Sequence, residues 1–321
     1  MTEPIGLAVI GPGSIADAHL EAFEQIGGVA PLWSVGRTLE GARLFADRWG
    51  FAHFGVSAED ALADPKVSMV LICSPNALHA EQARGAILAG KDVLLEIPIA
   101  MSGADARELV ELADATRRRL FALHTMRSFD GIRYMRNLLA SGEDTISQIV
   151  GFFAIPRRNN EGFTGTRTWA DNLLWHHACH LVDASLWVTE SDGITNESLL
   201  QGRTHPEFGA TMDISMSYML NSSSFMLNTS VLVTHALTYN ASALCWQMRM
   251  VADRGDYLFD GGTLYGVNGE VLVAGVSVRD LRAQNSQILG GMRTGEPTDF
   301  DARGVLPAMD SLDLLQKASH P

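Results

Sequence analysis

Cysteine is scarce in this chain: Cys73, Cys179 and Cys245 are the only three among 321 residues, and they lie far apart. An odd, scattered set excludes a disulfide-stapled secreted scaffold, and none has a second cysteine at metal-ligand spacing. Basic side chains are also in short supply. With 24 basic against 37 acidic residues the formal charge is −13, which repels nucleic-acid phosphates and anionic bilayers at long range. Neither nucleic acid nor a membrane is therefore an expected partner. Long apolar runs are missing as well: Met69–Cys73 is broken at once by Ser74-Pro75-Asn76, far short of the roughly 18 residues that a span requires. No basic leader or small-residue cleavage site precedes Ile5–Ile10, so the expected compartment is the cytoplasm. What is present is 46% hydrophobic and 19% charged residues, the composition of a globular protein. The length exceeds the roughly 250–300 residues at which one core stops growing, so two domains are expected.

Up to about residue 125, short apolar runs alternate with amphipathic helical patterns, as in a series of βα units. Strands are expected near Ile5–Ile10, Val29–Val35, Val67–Cys73, Val93–Glu96 and Leu120–His124, with a weaker one at Ala52–Phe54. Most are continuous apolar runs, as a parallel sheet covered on both faces demands. Ser57 and Ser102 each precede a helical stretch with an acid three residues on, the mark of an N-cap. Beyond a helix at Asp130–Leu139 the texture changes to strands that no longer alternate with helices, near Gly151–Ile155, Met212–Met219, Phe225–Val233, Ala243–Val251 and Tyr257–Phe259. Asn268-Gly269 signals a hairpin with a type I′ turn. Helices at Val278–Arg293 and Ala302–Lys317 close the chain. The fold expected is α/β, an N-terminal Rossmann domain over 1–125 followed by a mainly antiparallel α+β domain over 126–321. With no Pro/Ser-rich linker, a cleft between the two is the expected site.

The first strand ends in Gly11-Pro12-Gly13-Ser14-Ile15-Ala16 and runs straight into a helix. In this G-x-G-x-x-A pattern the first glycine allows a tight turn, the second lets backbone approach a pyrophosphate, and the small third residue packs helix on strand. An NAD site places an acid about 20 residues further on, to receive the ribose hydroxyls. Here that position falls in Ser34-Val35-Gly36-Arg37-Thr38, with no acid from Leu32 to Leu39. An arginine suits a 2′-phosphate, so Arg37 and Thr38 point to NADP, with NAD as the alternative. The competing reading of Arg37 is a solvated helix-start residue.

Three segments in fixed order then carry a family resemblance: the glycine turn, Cys73-Ser74-Pro75-Asn76-Ala77-Leu78-His79, and Glu96-Ile97-Pro98. Together with a later histidine-rich helix they resemble the glucose-fructose oxidoreductase and inositol dehydrogenase family over nearly the whole chain. The resemblance implies a second domain with an open sheet, one face serving the nicotinamide and the other a homo-oligomer, dimer or tetramer. It also implies cofactor contacts from Cys73, Ser74, Pro75, Asn76, His79, Glu96, Ile97 and Pro98. Capping is the competing role for Asn76, and turn-shaping for Glu96 and Pro98. Family members carry a lysine where Ile97 stands and an aspartate where His176 stands. His180 and Asp183 keep the rest of that pattern. A narrower subgroup shares these departures, the 4-carboxy-2-hydroxymuconate-6-semialdehyde dehydrogenases of aromatic degradation. The segments in common include Glu96–Ala100, His124–Arg127, Arg167–Asp171, Leu173–His180 and Gln201–Gly209. The implied reaction is hydride loss from the cyclic hemiacetal of a carboxylated semialdehyde, leaving a pyrone lactone. Met126-Arg127-Ser128 departs from that subgroup's two arginines and phenylalanine.

On a regular helix His176 and His180 share one face, with Asp183 on the same side. Removing hydride from a carbinol carbon requires that the hydroxyl proton be taken too, and imidazole is suited to that. His180 is the expected base and His176 its assistant. His176, His177 and His180 as metal ligands are the competing reading. Adjacent helical residues point apart, and no cysteine or carboxylate completes a set, so no metal is expected. Substrate contacts are expected from Arg127 and Arg167, which can grip carboxylates in paired fashion, and from His124, Trp175, His177 and Asp183. Arg157 and Arg158 are second choices. The alternatives are a sugar or cyclitol dehydrogenase, disfavoured by Ile97 and His176, and a non-catalytic dinucleotide sensor.

Overall fold

The computed structural model describes residues 3–157, 161–162, 165–166, 172–195, 198–206, 209–221 and 230–318. In chain order the elements are β1 (Ile5–Ile10), α1 (Ser14–Ile26), β2 (Val29–Val35), α2 (Leu39–Trp49), β3 (His53–Gly55), α3 (Ala58–Ala63), β4 (Met69–Ile72), α4 (His79–Leu88), β5 (Asp92–Leu95), α5 (Gly103–Thr116) and β6 (Leu120–Ala122). There follow α6 (Asp130–Ala140), β7 (Ile146–Pro156), β8 (Glu161–Gly162), β9 (Gly165–Thr166), α7 (Cys179–Thr189), β10 (Gly193–Ile194), β11 (Leu199–Thr204), β12 (Thr211–Asn221) and β13 (Leu232–Thr238). The chain ends with β14 (Asn240–Ala252), β15 (Gly255–Asp260), β16 (Thr263–Tyr265), β17 (Val271–Val273), α8 (Arg282–Thr294) and α9 (Leu306–Ala318).

Two compact units result, 1–123 with 279–304, and 124–278 with 305–321. The continuous second domain expected over 126–321 is thus interrupted. The physical reason lies in the first unit's core, where Ile288 and Leu289 of α8 and Phe300 join Leu7, Val9, Phe23, Phe45, Met69, Leu71, Leu94 and Phe121. The apolar stripe of α8 completes a sheet face that the first 123 residues leave open. Its start, expected at Val278, falls at Arg282.

In the first unit six strands form a parallel sheet in the order β3-β2-β1-β4-β5-β6. The order reverses between β1 and β4, which is where open α/β sheets bind ligands, outside the strands' carboxyl ends. Ser57 and Ser102 cap as their spacing indicates, accepting from the Glu59 and Asp105 amides.

In the second unit, α6, α7 and α9 accompany a nine-stranded sheet, β10-β12-β13-β7-β14-β15-β16-β17, with β11 also on β12. Only β13 and β7 run parallel among its described pairs. Along β7 the sides alternate: Ile149, Gly151 and Phe153 are buried while Val150 and Phe152 are exposed. Of the strand expected at Phe225–Val233, 225–229 fall outside the described residues, and the strand described there, β13, runs from Leu232 to Thr238, past the expected end. Thr234, His235 and Thr238 disguise its alternation, because the inward-facing His235 is polar. Asn268-Gly269 does sit between β16 and β17, but only Gly269 has positive φ. The connection is therefore a longer loop than a type I′ turn.

Beneath this sheet His235 is wholly buried, with Nε2 3.1 Å from Ser185 Oγ and its ring edge-on to Tyr218. A Cβ on Gly151 would stand 2.3 Å from His235 Nδ1 and 3.1 Å from Leu181 Cδ1. Gly151→Ala therefore overpacks a ring that Ser185 and Tyr218 hold in place, and is expected to cost about 1–3 kcal/mol. A lowered urea midpoint with an unchanged slope checks it; an unchanged midpoint means that the ring can move.

Candidate active site

The glycine turn is shaped as a dinucleotide cradle. Gly11 has φ +87°, and a Cβ there would meet the Ser74 amide nitrogen at 2.5 Å, so no other residue fits between β1 and the loop after β4. Gly13 is different: a Cβ there would meet no protein atom within 4 Å. The space beside it is left open on the side where a pyrophosphate approaches, and no side chain caps α1. The residues present therefore fit the cofactor. Arg37 is exposed at the end of β2. Next to it, Gly36 lies so near Pro12 that a Cβ would stand 3.2 Å from the ring. Thr38 caps α2, its Oγ1 accepting from the Gly41 amide at 3.2 Å, so its hydroxyl serves the helix.

At the ends of β4 and β5 the expected cofactor residues divide. His79 is 1% exposed, with Nδ1 2.8 Å from the Pro98 carbonyl and Nε2 2.8 Å from that of Ser74. It ties the two loops together, which corrects its expected nicotinamide contact: both ring nitrogens are engaged by backbone. Burial pulls its pKa below the ordinary histidine value against the pull of those carbonyls. Burial and then the charge of Glu96 push the Cys73 thiol up, so it stays protonated. Ser74 Oγ donates to Gln82 Oε1. Asn76 heads a short 3-10 turn, and no side chain caps that turn or α4, so capping is not its role. Glu96 is held by the buried His19, whose Nε2 lies 2.9 Å from Oε1, while Asn285 Oδ1 lies 3.1 Å from His19 Nδ1. Ile97, 5% exposed, precedes Pro98 through a cis peptide.

The second unit gathers the histidines. His124 stands two residues beyond β6, and its Nδ1 is 3.3 Å from Asp183 Oδ2. Arg127 donates Nε to Asp183 Oδ2 at 2.8 Å and Nη2 to Oδ1 at 2.5 Å, both residues being almost fully buried. This corrects two expectations: the guanidinium expected to grip a substrate carboxylate grips Asp183, and Asp183 serves Arg127 and His124. A buried guanidinium needs a counter-charge, and the nearest carboxylate supplies it. Burial works against ionisation of Asp183, but Arg127 and His124 outweigh it and hold the carboxyl below its usual range.

His180 is surrounded by rings: Trp246 at 5.1 Å, and Phe153, His177 and His124 each at 6.2 Å. Its Nδ1 is buried without a hydrogen-bond partner. Burial, then His124 and His176, push its pKa down to about 3, with Asp183 opposing, so the ring is neutral near pH 7. His177 Nδ1 lies 2.6 Å from Tyr239 Oη, and the guanidinium of Arg157 sits over the Tyr239 ring at 5.2 Å. Arg157 is thereby one ring removed from His177 through Tyr239, while Arg158 and Arg167 fall outside the described residues, as does Trp169. Trp175, expected at the substrate, is 1% exposed and donates Nε1 to Gln316 of α9, which makes it a core residue.

His176 and His177 do not point apart as adjacent residues of a regular helix would. Leu174–Ala178 winds as a π-helix, which changes the angular step between residues, and the two rings stack at 4.1 Å with 17° between their planes. Among the described residues no group of three or more histidine, cysteine or acidic side chains could hold a metal. Phe153, Trp246 and Tyr239 escaped sequence reasoning because they come from three separate places in the sheet. Only the inward alternation of β7 gave a hint of Phe153.

A dinucleotide cradle and a buried imidazole cluster define an NAD(P)-dependent dehydrogenase. Residues 5–124 match the oxidoreductase family with an NAD-binding Rossmann fold, and 131–277 match the C-terminal domain of bacterial oxidoreductases. The chain belongs to this family, that of glucose-fructose oxidoreductase and inositol dehydrogenase. It is 32% identical over 305 residues, 92% of this chain and 93% of the other, to the 4-carboxy-2-hydroxymuconate-6-semialdehyde dehydrogenase of Sphingobium sp. (strain NBRC 103272 / SYK-6). It is 28% identical to the inositol 2-dehydrogenase of Gluconacetobacter diazotrophicus over 62% of this chain and 59% of that one. In fold it is similar to GenD2 from gentamicin A biosynthesis in complex with NAD, with a TM-score of 0.84 at 18% identity over 99% and 95% of the two chains. Biliverdin reductase from Synechocystis sp. PCC 6803 with biliverdin and NADP+ gives 0.78 at 20% identity over 99% and 100%. Among the described residues no helix is long and apolar enough to cross a membrane.

Proposed function

We propose that this protein is an NADP-dependent dehydrogenase that oxidises a carboxylated semialdehyde, as its cyclic hemiacetal, to a lactone. The observation that carries the chemistry is His180, whose imidazole is ringed by Trp246, Phe153, His177 and His124. His180 is taken as the proton acceptor, since the sequence has Ile97 where family members carry a lysine. A bound nicotinamide cofactor supplies the hydride acceptor. This chain's imidazole takes the hydroxyl proton as the C–O bond becomes a carbonyl. A hemiacetal hydroxyl is more acidic than the secondary alcohol of a sugar or cyclitol, which favours removal of its proton by an imidazole. Arg157, over the ring of the Tyr239 that bonds His177, takes the part of carboxylate reader expected of Arg127. Similarity to the Sphingobium enzyme over 92% of the chain supports the substrate class.

Cofactor choice rests on Arg37, exposed at the end of β2 with no acid in that loop. Arg37→Asp is expected to weaken NADP binding at least about tenfold, the worth of a lost charge-assisted contact, and to leave NAD binding little changed. Equal losses for both would remove Arg37 from the 2′-phosphate. The substrate class is tested by mixing the protein and NADP with a panel of carboxylated semialdehydes, sugars and cyclitols and following cofactor reduction. Turnover confined to semialdehydes is expected. Turnover of a sugar or cyclitol alone favours the inositol dehydrogenase reading, and tight cofactor binding without any turnover favours a sensor. A homo-oligomer through the second unit's sheet is part of the proposal, supported by exposed Val150, Phe152, Leu232 and Leu244; cytoplasmic location is likewise proposed.

A further inference from the structure

The segment that returns to the first unit brings a cation to the glycine turn. Leu281, 2% exposed, packs against Ala18 and Ala22 of α1, and Asn285, four residues after Leu281, bonds His19 of the same helix. These contacts seat the segment on α1. They carry the exposed Arg279 to the helix's first residue, where Nη2 donates to Ser14 Oγ at 2.8 Å and to the Ser14 carbonyl at 3.3 Å. Ser14 directly follows Gly13, beside which no protein atom fills the space of a Cβ. The family match, not the helix end, supplies the ligand: this is an NAD-binding Rossmann unit.

We infer that Arg279 is a cofactor-binding residue that contacts the pyrophosphate of the bound dinucleotide. It reaches the phosphates from a part of the chain more than 260 residues beyond the turn. The inference rests on the dinucleotide reading of the turn and adds to it the residue that neutralises the anion. Arg37 and Arg279 then divide the phosphates, Arg37 at the 2′-position of NADP and Arg279 at the bridge that NAD and NADP share. Binding at Arg279 is accordingly independent of cofactor choice.

The test is calorimetric titration of the full-length protein with NADP, NAD and ADP-ribose, which keeps the pyrophosphate and lacks the nicotinamide. Arg279→Gln is expected to weaken all three by a similar factor of about ten, the worth of a charge-assisted hydrogen bond. Arg279→Lys, which keeps the charge and loses the paired donors, should recover part of the loss. Melting temperature without ligand should not move, since the side chain is exposed. A loss limited to NADP would assign Arg279 to the 2′-phosphate and overturn the pyrophosphate contact. Unchanged affinities with normal wild-type binding would overturn any phosphate role. Failure of the wild-type protein to bind any of the three would instead overturn the dinucleotide reading itself.

Discussion

His180→Asn is expected to lower kcat by about 10²–10⁴-fold, the usual worth of a positioned acid-base group, while KM and cofactor affinity move little. Asparagine preserves polarity and approximate size but cannot take the proton. His176→Asn should cost less, because that ring stacks on His177 and is not encircled like His180. The pH profile carries the sign. His180 is held near 3 by burial and by His124 and His176, so its reactive neutral form persists as the pH falls. No acidic limb from this residue is expected between about pH 5 and 8, where an unperturbed histidine would show one. Full turnover in His180→Asn, or a limb near the ordinary histidine value that vanishes in it, would remove this residue as the base.

The same downward shifts act on stability. His180 and His235 are each held at about 3 against an ordinary 6.5, so the unfolded chain binds more protons between those values. Their contribution is intact above about 6.5 and is lost as the pH falls toward 3.

The second large effect is structural. Asp183→Leu or Arg127→Met leaves an uncompensated buried partner and is expected to destabilise by about 3–5 kcal/mol. The pair is almost wholly removed from water and makes two hydrogen bonds, with His124 3.3 Å away. The double variant Arg127→Met with Asp183→Leu removes both charges and should recover most of the loss. Urea unfolding of the four proteins closes the cycle. If the double variant is as unstable as the sum of the singles, the two charges are not coupled. Because the Asp183 carboxyl is held below its ordinary value of 3.8, its contribution is intact above that value and fades as the pH drops through its lower folded value.

The sites that lie in one stretch of chain were legible in the sequence. Gly11 and Gly13 announce the cradle because a turn between strand and helix has few chemical solutions, and Ser57 and Ser102 announce helix starts for the same local reason. Roles that depend on a distant partner were not. Arg127 and Trp175 read as substrate contacts until Asp183 and Gln316 are found against them. His79 reads as a cofactor ligand until the carbonyls of Ser74 and Pro98 occupy its ring. The π-helix at Leu174–Ala178 likewise defeats an angular argument built on a regular helix.

From the sequence alone came the alternation of strands and helices, the glycine turn, the missing acid near Arg37 and the histidines themselves. Each is a property of neighbours along the chain, where sterics and periodicity act directly. Tertiary structure alone decided that 279–304 completes the first core and that Arg279 reaches Ser14. It also decided which arginine is consumed by Asp183 and which aromatic rings encircle His180. Burial and charge pairing between residues far apart in the chain are settled by packing, which no local pattern records.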